Sequence, residues 1–106
     1  MRMQKEVSEV TFPESFRNAI LSSTKLATTR PQRLGEVGSR FVAFGQKFVI
    51  VNVEELPLGL VAAFLYRAEG FETREAFIDF WCQLCPDMDY RPDQIVYFHL
   101  FMKTDL

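Results

Sequence analysis

Cysteine, histidine and long apolar runs are all scarce in this sequence, which has two cysteines and one histidine. No hydrophobic stretch approaches the ~18 residues that a membrane-spanning helix requires, so we expect neither a membrane protein nor a membrane partner. Met1–Glu6 is charged and lacks an apolar core, which argues against a secretory signal and for a cytoplasmic protein. In that compartment both cysteines are expected to be reduced. Five glycines and five prolines, without an internal repeat, exclude a collagen-like chain and a repeat array.

The apolar content that is present is enough to build one core. The chain has 106 residues, of which 48% are hydrophobic and 25% are charged, so it is neither disordered nor long enough for two domains. We expect residues 1–106 to form a single domain. Aromatic residues make up 14% of the chain, with eleven phenylalanines, a composition that favours a packed α+β or β-rich interior.

The charge is distributed unevenly along the chain. The net charge is −2 and the pI is about 5.4, whereas proteins that coat duplex nucleic acid typically have a pI above about 9. From Arg17 to Lys47, however, there are six cations and one acid, Glu36. A local basic surface for one phosphate or nucleotide therefore fits the sequence, and a solvated surface is the alternative.

Apolar spacing in the first half of the chain predicts a strand, a helix, a long loop and a hairpin. Residues 7–12 alternate as a strand, Pro13 begins a helix that ends near residue 22, and residues 22–38 are polar enough to form a loop. Two strand-like runs, Arg40–Phe44 and Lys47–Glu54, flank Gly45 and Gln46, which predicts a hairpin with glycine at the first turn position. The second run is almost wholly apolar and is expected to be central, with Val49, Ile50 and Val51 buried.

The second half predicts two helices and a closing strand. Residues 58–67 form a helix that ends near Gly70, and residues 73–85 form a helix that Thr73 caps and Pro86 stops. Phe77, Phe80 and Trp81 share one face of that helix and should cover an end of the sheet. Residues 94–103 form the last strand. This order of elements predicts a small α+β barrel rather than a doubly wound sheet.

The candidate functional residues lie in the predicted loop. Lys25, Thr28, Thr29 and Arg30 are close together in the sequence. A lysine, a hydroxyl and an arginine can bind an anion, and a lysine with a lowered pKa can also activate a hydroxyl nucleophile. By spacing alone, a solvated polar loop is the simpler interpretation.

Three sequence blocks occur in an order that is typical of one family. Phe16–Arg30 matches a helix followed by a Gly-x-Lys-x-x-Thr-x-Arg loop, Gly35–Phe41 matches a Gly-Asp-x-Phe segment that begins a strand, and Glu69–Phe77 matches a Glu-Gly-Phe-x-Ser-x-Glu-x-Phe helix. The closing strand Val96–Phe101 also fits. Over about residues 10–102, the chain resembles ASCH (activating-signal-cointegrator homology) domains of the PUA-like superfamily.

The resemblance implies an α+β fold, a small PUA-like β-barrel with helices packed around it, and a ligand that is a nucleotide, a modified nucleoside or RNA. Similar bacterial members are amidohydrolases that remove the acetyl group from acetylcytidine with a lysine, a threonine and a glutamate. By matching position, the catalytic residues would be Lys25, Thr28 and Glu69, and Arg30 would be the family's loop arginine. We expect Thr29, Arg30 and Arg40 to bind the ligand. No metal ion and no cofactor are implied. The alternatives are a non-catalytic RNA-binding module and an RNA-cleaving enzyme.

Two positions depart from the family's pattern. Ser23 replaces the glycine that precedes the lysine, which would allow the loop a different path. Ser39 replaces the aspartate expected before the strand. Neither change touches the three catalytic positions.

Cys82, Cys85 and His99 invite other interpretations. The two cysteines have the spacing of a redox pair, but they lie at the end of a predicted helix, where the helix dipole disfavours a thiolate. A zinc site needs four ligands, and these three residues supply only part of such a set. We therefore expect both cysteines to be reduced and unmetallated, and His99, beside Phe98 in a strand, to be structural.

Overall fold

One curled sheet of five strands forms the centre of the part of the chain that the computed structural model describes, residues 8–84 and 89–105. The strands are β1 (Ser8–Glu9), β2 (Ala27–Arg30), β3 (Arg40–Ala43), β4 (Gln46–Pro57) and β5 (Ile95–Lys103). Their order across the sheet is β1-β3-β4-β5-β2, and only β1 and β3 pair in parallel. The apolar β4 is central, as its composition predicts.

Three helical segments pack around this sheet. A 3₁₀ turn (Glu14–Phe16) leads into α1 (Arg17–Leu21), α2 (Leu58–Leu60) continues as a π-helical turn (Val61–Leu65), and α3 spans Arg74–Leu84. The hydroxyl of Thr73 accepts a hydrogen bond from the Ala76 amide at 3.1 Å, so Thr73 caps α3 as predicted. The described part of the chain thus has the predicted α+β class of fold, a curled sheet with helices packed around it. No helix in the two described ranges is long and apolar enough to cross a bilayer.

The predicted loop over residues 22–38 is wrong in its middle part, because Ala27–Arg30 forms strand β2. This strand lies at the edge of the sheet and pairs antiparallel with β5, with Thr28 opposite His99. Its first three residues are all buried. The segment is too short to show an apolar period, so its only local signal is the pair of β-branched threonines, which suit a strand.

The hairpin is confirmed, but its turn lies one residue earlier than predicted. Ala43 pairs with Gln46, so Phe44 and Gly45 are the central turn residues. Both have positive φ, 53° and 78°, the pattern of a type I′ turn that matches the twist of the two strands. The Phe44 ring lies 6.5 Å from that of Phe12, which explains a bulky residue at a position that usually favours asparagine or glycine.

The burial prediction for β4 holds for Ile50 and fails for Val51. Ile50 is 3% exposed, whereas Val51 is 38% exposed and Val49 is half-buried. The pairing of β4 with β5 shifts between Ile50 and Asn52. This irregularity has the form of a β-bulge. Val51 is exposed because side chains alternate along a strand, so that Phe48 and Ile50 face the core whereas Val49 and Val51 lie on the other face.

Two apolar clusters fill the interior. One joins the 3₁₀ turn and α1 to β3, β4 and β5 and is centred on Phe16, Phe41 and Phe48. The other joins α2, the π-helical turn and α3 to β2 and β5, and it contains Phe77 and Trp81. Phe80 is half-buried beside the first cluster. The predicted helix stop at Pro86 lies outside the described residues, as does the predicted strand residue Val7.

Ser23 adopts a backbone conformation that glycine reaches without strain. Its φ is 64°, in the left-handed region, where a residue with a Cβ atom is strained. Ser23 takes the left-handed conformation at a cost in stability.

Replacing Ser23 by glycine should stabilise the fold by up to about 1 kcal/mol. Glycine removes a left-handed strain of roughly 1–2 kcal/mol from the folded state, but it also raises the conformational entropy of the unfolded chain, which offsets part of that gain. Urea denaturation of both proteins measures the difference. Ser22→Gly is the matched control, since Ser22 has a φ of −91° and should lose stability. Equal destabilisation by the two substitutions would contradict the strain at Ser23.

Candidate functional site

A buried ion pair joins the first and third sequence blocks. Lys25 is 2% and Glu69 3% exposed. The Lys25 Nζ atom donates to the Glu69 backbone carbonyl at 2.7 Å and lies 3.4 Å from the carboxylate Oε1. Lys25 is thus both the ion-pair partner of Glu69 and a cationic cap at the carboxyl end of the helical segment that began at Leu58.

The end of that helical segment is fastened to the start of β2. The Ala68 carbonyl accepts hydrogen bonds from the amides of Leu26 at 2.7 Å and Ala27 at 3.0 Å. Gly70 then reverses the chain with a φ of +97°, and a Cβ atom there would lie 3.1 Å from the Lys25 Cβ. The glycine that the sequence places after Glu69 therefore serves two purposes, a left-handed turn and close packing against Lys25.

The hydroxyls of Thr28 and Thr29 have different partners. Thr29 Oγ1 donates to Glu69 Oε2 at 2.5 Å, so each oxygen of that carboxylate has a polar partner. Thr28 Oγ1 instead accepts a hydrogen bond from Arg30 Nε at 3.0 Å. The two neighbouring threonines of β2 thus have separate partners, Glu69 for Thr29 and Arg30 for Thr28.

Burial changes the acid–base properties of Lys25. Its loss of hydration lowers the pKa of the ammonium group, and the neighbouring Glu69 charge opposes that change. The Phe16 ring centroid lies 4.6 Å from Lys25 Nζ, close enough for a cation–π contact. The site therefore contains an amine that loses its proton more easily than a surface lysine.

These polar groups line one cavity of about 120 Å³. Five of the six predicted site residues belong to its wall, namely Lys25, Thr28, Thr29, Arg30 and Glu69. Arg40 does not: it lies on β3, separated from β2 by two strands of the sheet. The remainder of the wall is mainly apolar and includes Phe12, Phe16, Phe77, Phe80, Trp81 and Leu84.

Sequence reasoning assigned this aromatic wall to the core. Helical spacing indicates that Phe77, Phe80 and Trp81 share a face, but it does not distinguish a face that packs fully from one that leaves a cavity. No signal in one sequence would have shown that these rings border the polar site.

A second, open recess adjoins the first. It has a volume of about 330 Å³ and is lined by Arg30, Pro31, Gln32, Arg33 and Leu34. Arg30 belongs to both walls, and the Arg33 guanidinium lies 5.4 Å from the Tyr97 ring centroid. Two cations thus border the space next to the cavity, part of the basic stretch seen in the sequence.

His99 holds the segment after β2 in place. Its Nε2 accepts a hydrogen bond from the Leu34 amide at 2.9 Å, and its Nδ1 lies 3.1 Å from the Thr28 carbonyl. Because Nε2 accepts and a carbonyl can only accept, the ring is neutral with its proton on Nδ1. Burial lowers the pKa of His99. Its contacts are structural, as the flanking phenylalanines suggested.

Within the described ranges, no group of three or more His, Cys, Asp and Glu side chains could hold a metal ion. Cys82 is a free thiol, and Cys85 lies outside those ranges. The expectation that both cysteines are reduced and unmetallated therefore stays a prediction.

Acid should destabilise the protein partly through His99. The folded pKa lies below the usual 6.5, so the unfolded chain binds the proton first as the pH falls, and stability is lost below about pH 6.5. The His99→Gln variant should be less stable at neutral pH, but its free energy of unfolding should fall less between about pH 7.5 and pH 5.5. Urea denaturation at several pH values measures both slopes, and identical slopes would contradict a neutral buried imidazole.

Gly70→Ala should cost more stability than the left-handed backbone alone explains. Gly38→Ala is the matched control, because Gly38 has a similar φ of +93° and a Cβ there would meet nothing within 4 Å. The control should lose roughly 1–2 kcal/mol from the backbone, and Gly70→Ala should lose clearly more because it also displaces Lys25. Equal losses in chemical denaturation would show that the contact with Lys25 adds nothing.

Comparison with known proteins rests on structure alone, since no family model and no curated protein sequence matches the chain. A DUF984-family protein from Enterococcus faecalis superposes with a TM-score of 0.72 at 18% identity, covering 100% of this chain and 84% of that one. An ASCH domain from Lactobacillus crispatus superposes with a TM-score of 0.68 at 17% identity, covering 92% of this chain and 77% of that one. The resemblance seen in the sequence is confirmed at the level of the fold: this chain has the ASCH-domain fold.

Proposed function

We propose that this chain is a nucleotide- or RNA-binding domain that receives one base in the cavity beside Lys25 and Glu69, and that it hydrolyses the acetyl amide of acetylcytidine there. The observation that carries the proposal is the meeting of Lys25, Thr28 and Glu69 at one cavity, although Glu69 is distant in sequence. The ASCH fold supports RNA or nucleotide as the ligand class. The cavity, polar on one part of its wall and aromatic on another, suits a heterocycle with polar edges.

The size and charge of the site favour a single base over a long polymer. A cavity of about 120 Å³ is close to the ~150 Å³ of an engineered cavity that holds benzene, so one six-membered ring fits. The net charge of −2 gives little attraction for an extended phosphate backbone. Arg30 and Arg33 at the adjoining recess supply local charge for one phosphate or for the sugar next to the base.

Amide hydrolysis assigns a separate task to each of the three residues. Thr28 Oγ1 attacks the acetyl carbonyl carbon, and its proton passes to the neutral amine of Lys25. The carbon–nitrogen bond then breaks, and the exocyclic amine of cytosine takes up the proton that Lys25 received, either directly or through Glu69, which also positions that amine. Water releases acetate from the threonine ester. Burial of Lys25 favours its unprotonated form, which the first step needs.

The Arg30 contact adds an electrostatic component. Arg30 Nε already donates to Thr28 Oγ1, so its positive charge stabilises negative charge that develops on this oxygen. Lys25, by contrast, directs its described polar contacts to Glu69. The amine must turn from Glu69 to Thr28 when substrate binds. Catalytic hydrogen bonds commonly become shorter and better aligned in this way when substrate enters a site.

That same orientation of Lys25 favours a second candidate function, a base-binding domain without catalysis. In that case Lys25 serves only to pair with Glu69 and to cap the helix, and Arg30 and Thr28 contact the ligand. The two functions predict different results in one assay, in which acetylcytidine is incubated with the protein and free cytidine is detected by mass. Short RNAs in the same assay report strand cleavage, the other alternative.

Thr28→Ala should abolish release of cytidine while leaving the affinity for acetylcytidine nearly unchanged, because a nucleophile acts mainly in the transition state. Lys25→Ala should lower turnover by about 10²–10⁴-fold, the usual contribution of a general base. Thr24→Ala is the matched control: Thr24 is exposed in the same loop and should keep full turnover.

The binding-only function gives the opposite pattern. No cytidine would be released by the unmodified protein, and Thr28→Ala and Lys25→Ala would change affinity alone, as measured by calorimetry with cytidine and short RNAs. Turnover that survives Thr28→Ala would exclude Thr28 as the nucleophile. Absence of both turnover and binding for every nucleoside and RNA tested would contradict the proposed function as a whole.

A further inference from the structure

The indole nitrogen of Trp81 is a buried donor that has no partner among the described residues. Trp81 is 2% exposed, and its Nε1 forms no hydrogen bond with any residue in the described ranges. Buried polar atoms in native proteins are nearly always paired, since an unpaired one forfeits its hydration and receives nothing in return. A buried tryptophan usually finds a partner for this group, so the exception at Trp81 calls for an explanation.

The position of Trp81 supplies one. Trp81 belongs to the wall of the cavity that Lys25 and Glu69 also line. The other buried polar side chains at this site, those of Lys25, Thr28, Thr29 and Glu69, all have hydrogen-bond partners. The one other unpaired buried atom found in the described ranges, Gln94 Oε1, does not belong to this wall. Trp81 therefore carries the unpaired donor and also lines the cavity.

Packing alone does not account for tryptophan at this position. Its neighbours in the wall include Phe77, whose ring centroid lies 6.4 Å away, and Phe80. A further phenylalanine would fill much of the same space without burying a donor. What tryptophan adds to such a wall is the N–H group.

We propose that Trp81 determines ligand specificity: its indole N–H donates a hydrogen bond to a carbonyl oxygen or ring nitrogen on the edge of the base that fills the cavity. This inference rests on the proposed function in taking the ligand to be a base. It adds how that base is recognised: a single-ring heterocycle must place an acceptor on the edge that meets α3. A hydrocarbon ring of the same size leaves the indole unpaired and is rejected relative to the heterocycle, as sites built around a hydrogen bond reject analogues that lack it.

The single tryptophan of the chain makes the test direct. Its indole N–H gives one signal in a proton–nitrogen correlation spectrum of the labelled protein, and the signal of a hydrogen-bonded indole moves downfield. Cytidine, acetylcytidine and the fragment pyrimidinone should each move it, whereas benzene, which has no acceptor, should produce no downfield shift. This measurement uses the unmutated chain, so it does not depend on the folding of a variant.

Trp81→Phe supplies the second measurement. It removes the donor and keeps an aromatic ring, so the affinity for cytidine and pyrimidinone should fall about tenfold, while the affinity for benzene stays the same. The ligand-free protein should lose only the stability that the smaller ring costs in packing, because no hydrogen bond is lost. A residue with only a structural role would leave the selectivity between pyrimidinone and benzene unchanged.

The outcomes separate this inference from the proposed function. If pyrimidinone moves the indole signal but no nucleoside or RNA binds, the proposed function fails and the role of Trp81 stands. If nucleosides bind and perturb Lys25 and Thr28 without moving the indole signal, and Trp81→Phe binds them equally well, the role of Trp81 is overturned and the proposed function stands. If no probe moves the indole signal, the role of Trp81 is overturned as well.

Discussion

The buried pairing of Lys25 with Glu69 is the interaction on which the arrangement of the site depends. Taking two charges out of water is expensive, and in many proteins an apolar pair of similar size is at least as stable. Here the pair joins the loop after α1 to the end of the helical segment from Leu58, and it fixes both against the edge strand β2. Removing either partner would leave the other as an isolated charge with 3–4% of its side chain exposed. The pair therefore defines a geometry more than it adds stability.

This geometry divides the cavity into groups that are already engaged and groups that are free to meet a ligand. Glu69 is held through both carboxylate oxygens and Thr28 is held by Arg30, so these side chains are positioned before anything binds. Positioning of this kind lowers the cost of ordering side chains on binding. The aromatic wall supplies the apolar contact area. Among the described residues of that wall, the N–H of Trp81 is a buried polar group without a hydrogen-bond partner.

The sequence predicted most of the fold because its main elements have strong local signals. The apolar run of β4, the capping threonine of α3 and the glycine after Glu69 each have a physical reason that a reader of the sequence can recognise. Strand β2 escaped prediction because its burial depends on β5, whose partner residues lie about seventy positions later. Val51 is exposed because side chains alternate along β4, an alternation that the nearly unbroken apolar run of this strand conceals in the sequence. The polar residues of the site were predicted from the sequence blocks. The cavity and its aromatic wall could not be predicted, because they form only when α3 packs against the strands.

The π-helical turn at Val61–Leu65 has a consequence for how the chain tolerates length changes. Such a turn amounts to an α-helix with one additional residue, and each residue of an α-helix rotates the chain by about 100°. Deleting one residue here would regularise the helix and improve its local hydrogen bonding. It would also rotate everything that follows, so that the carboxylate of Glu69 would face away from Lys25 and the carbonyl of Ala68 away from β2. The π-helical turn thus sets the direction in which Glu69 and Ala68 point at the end of the helix. A deletion that makes the helix more regular would therefore disrupt the site.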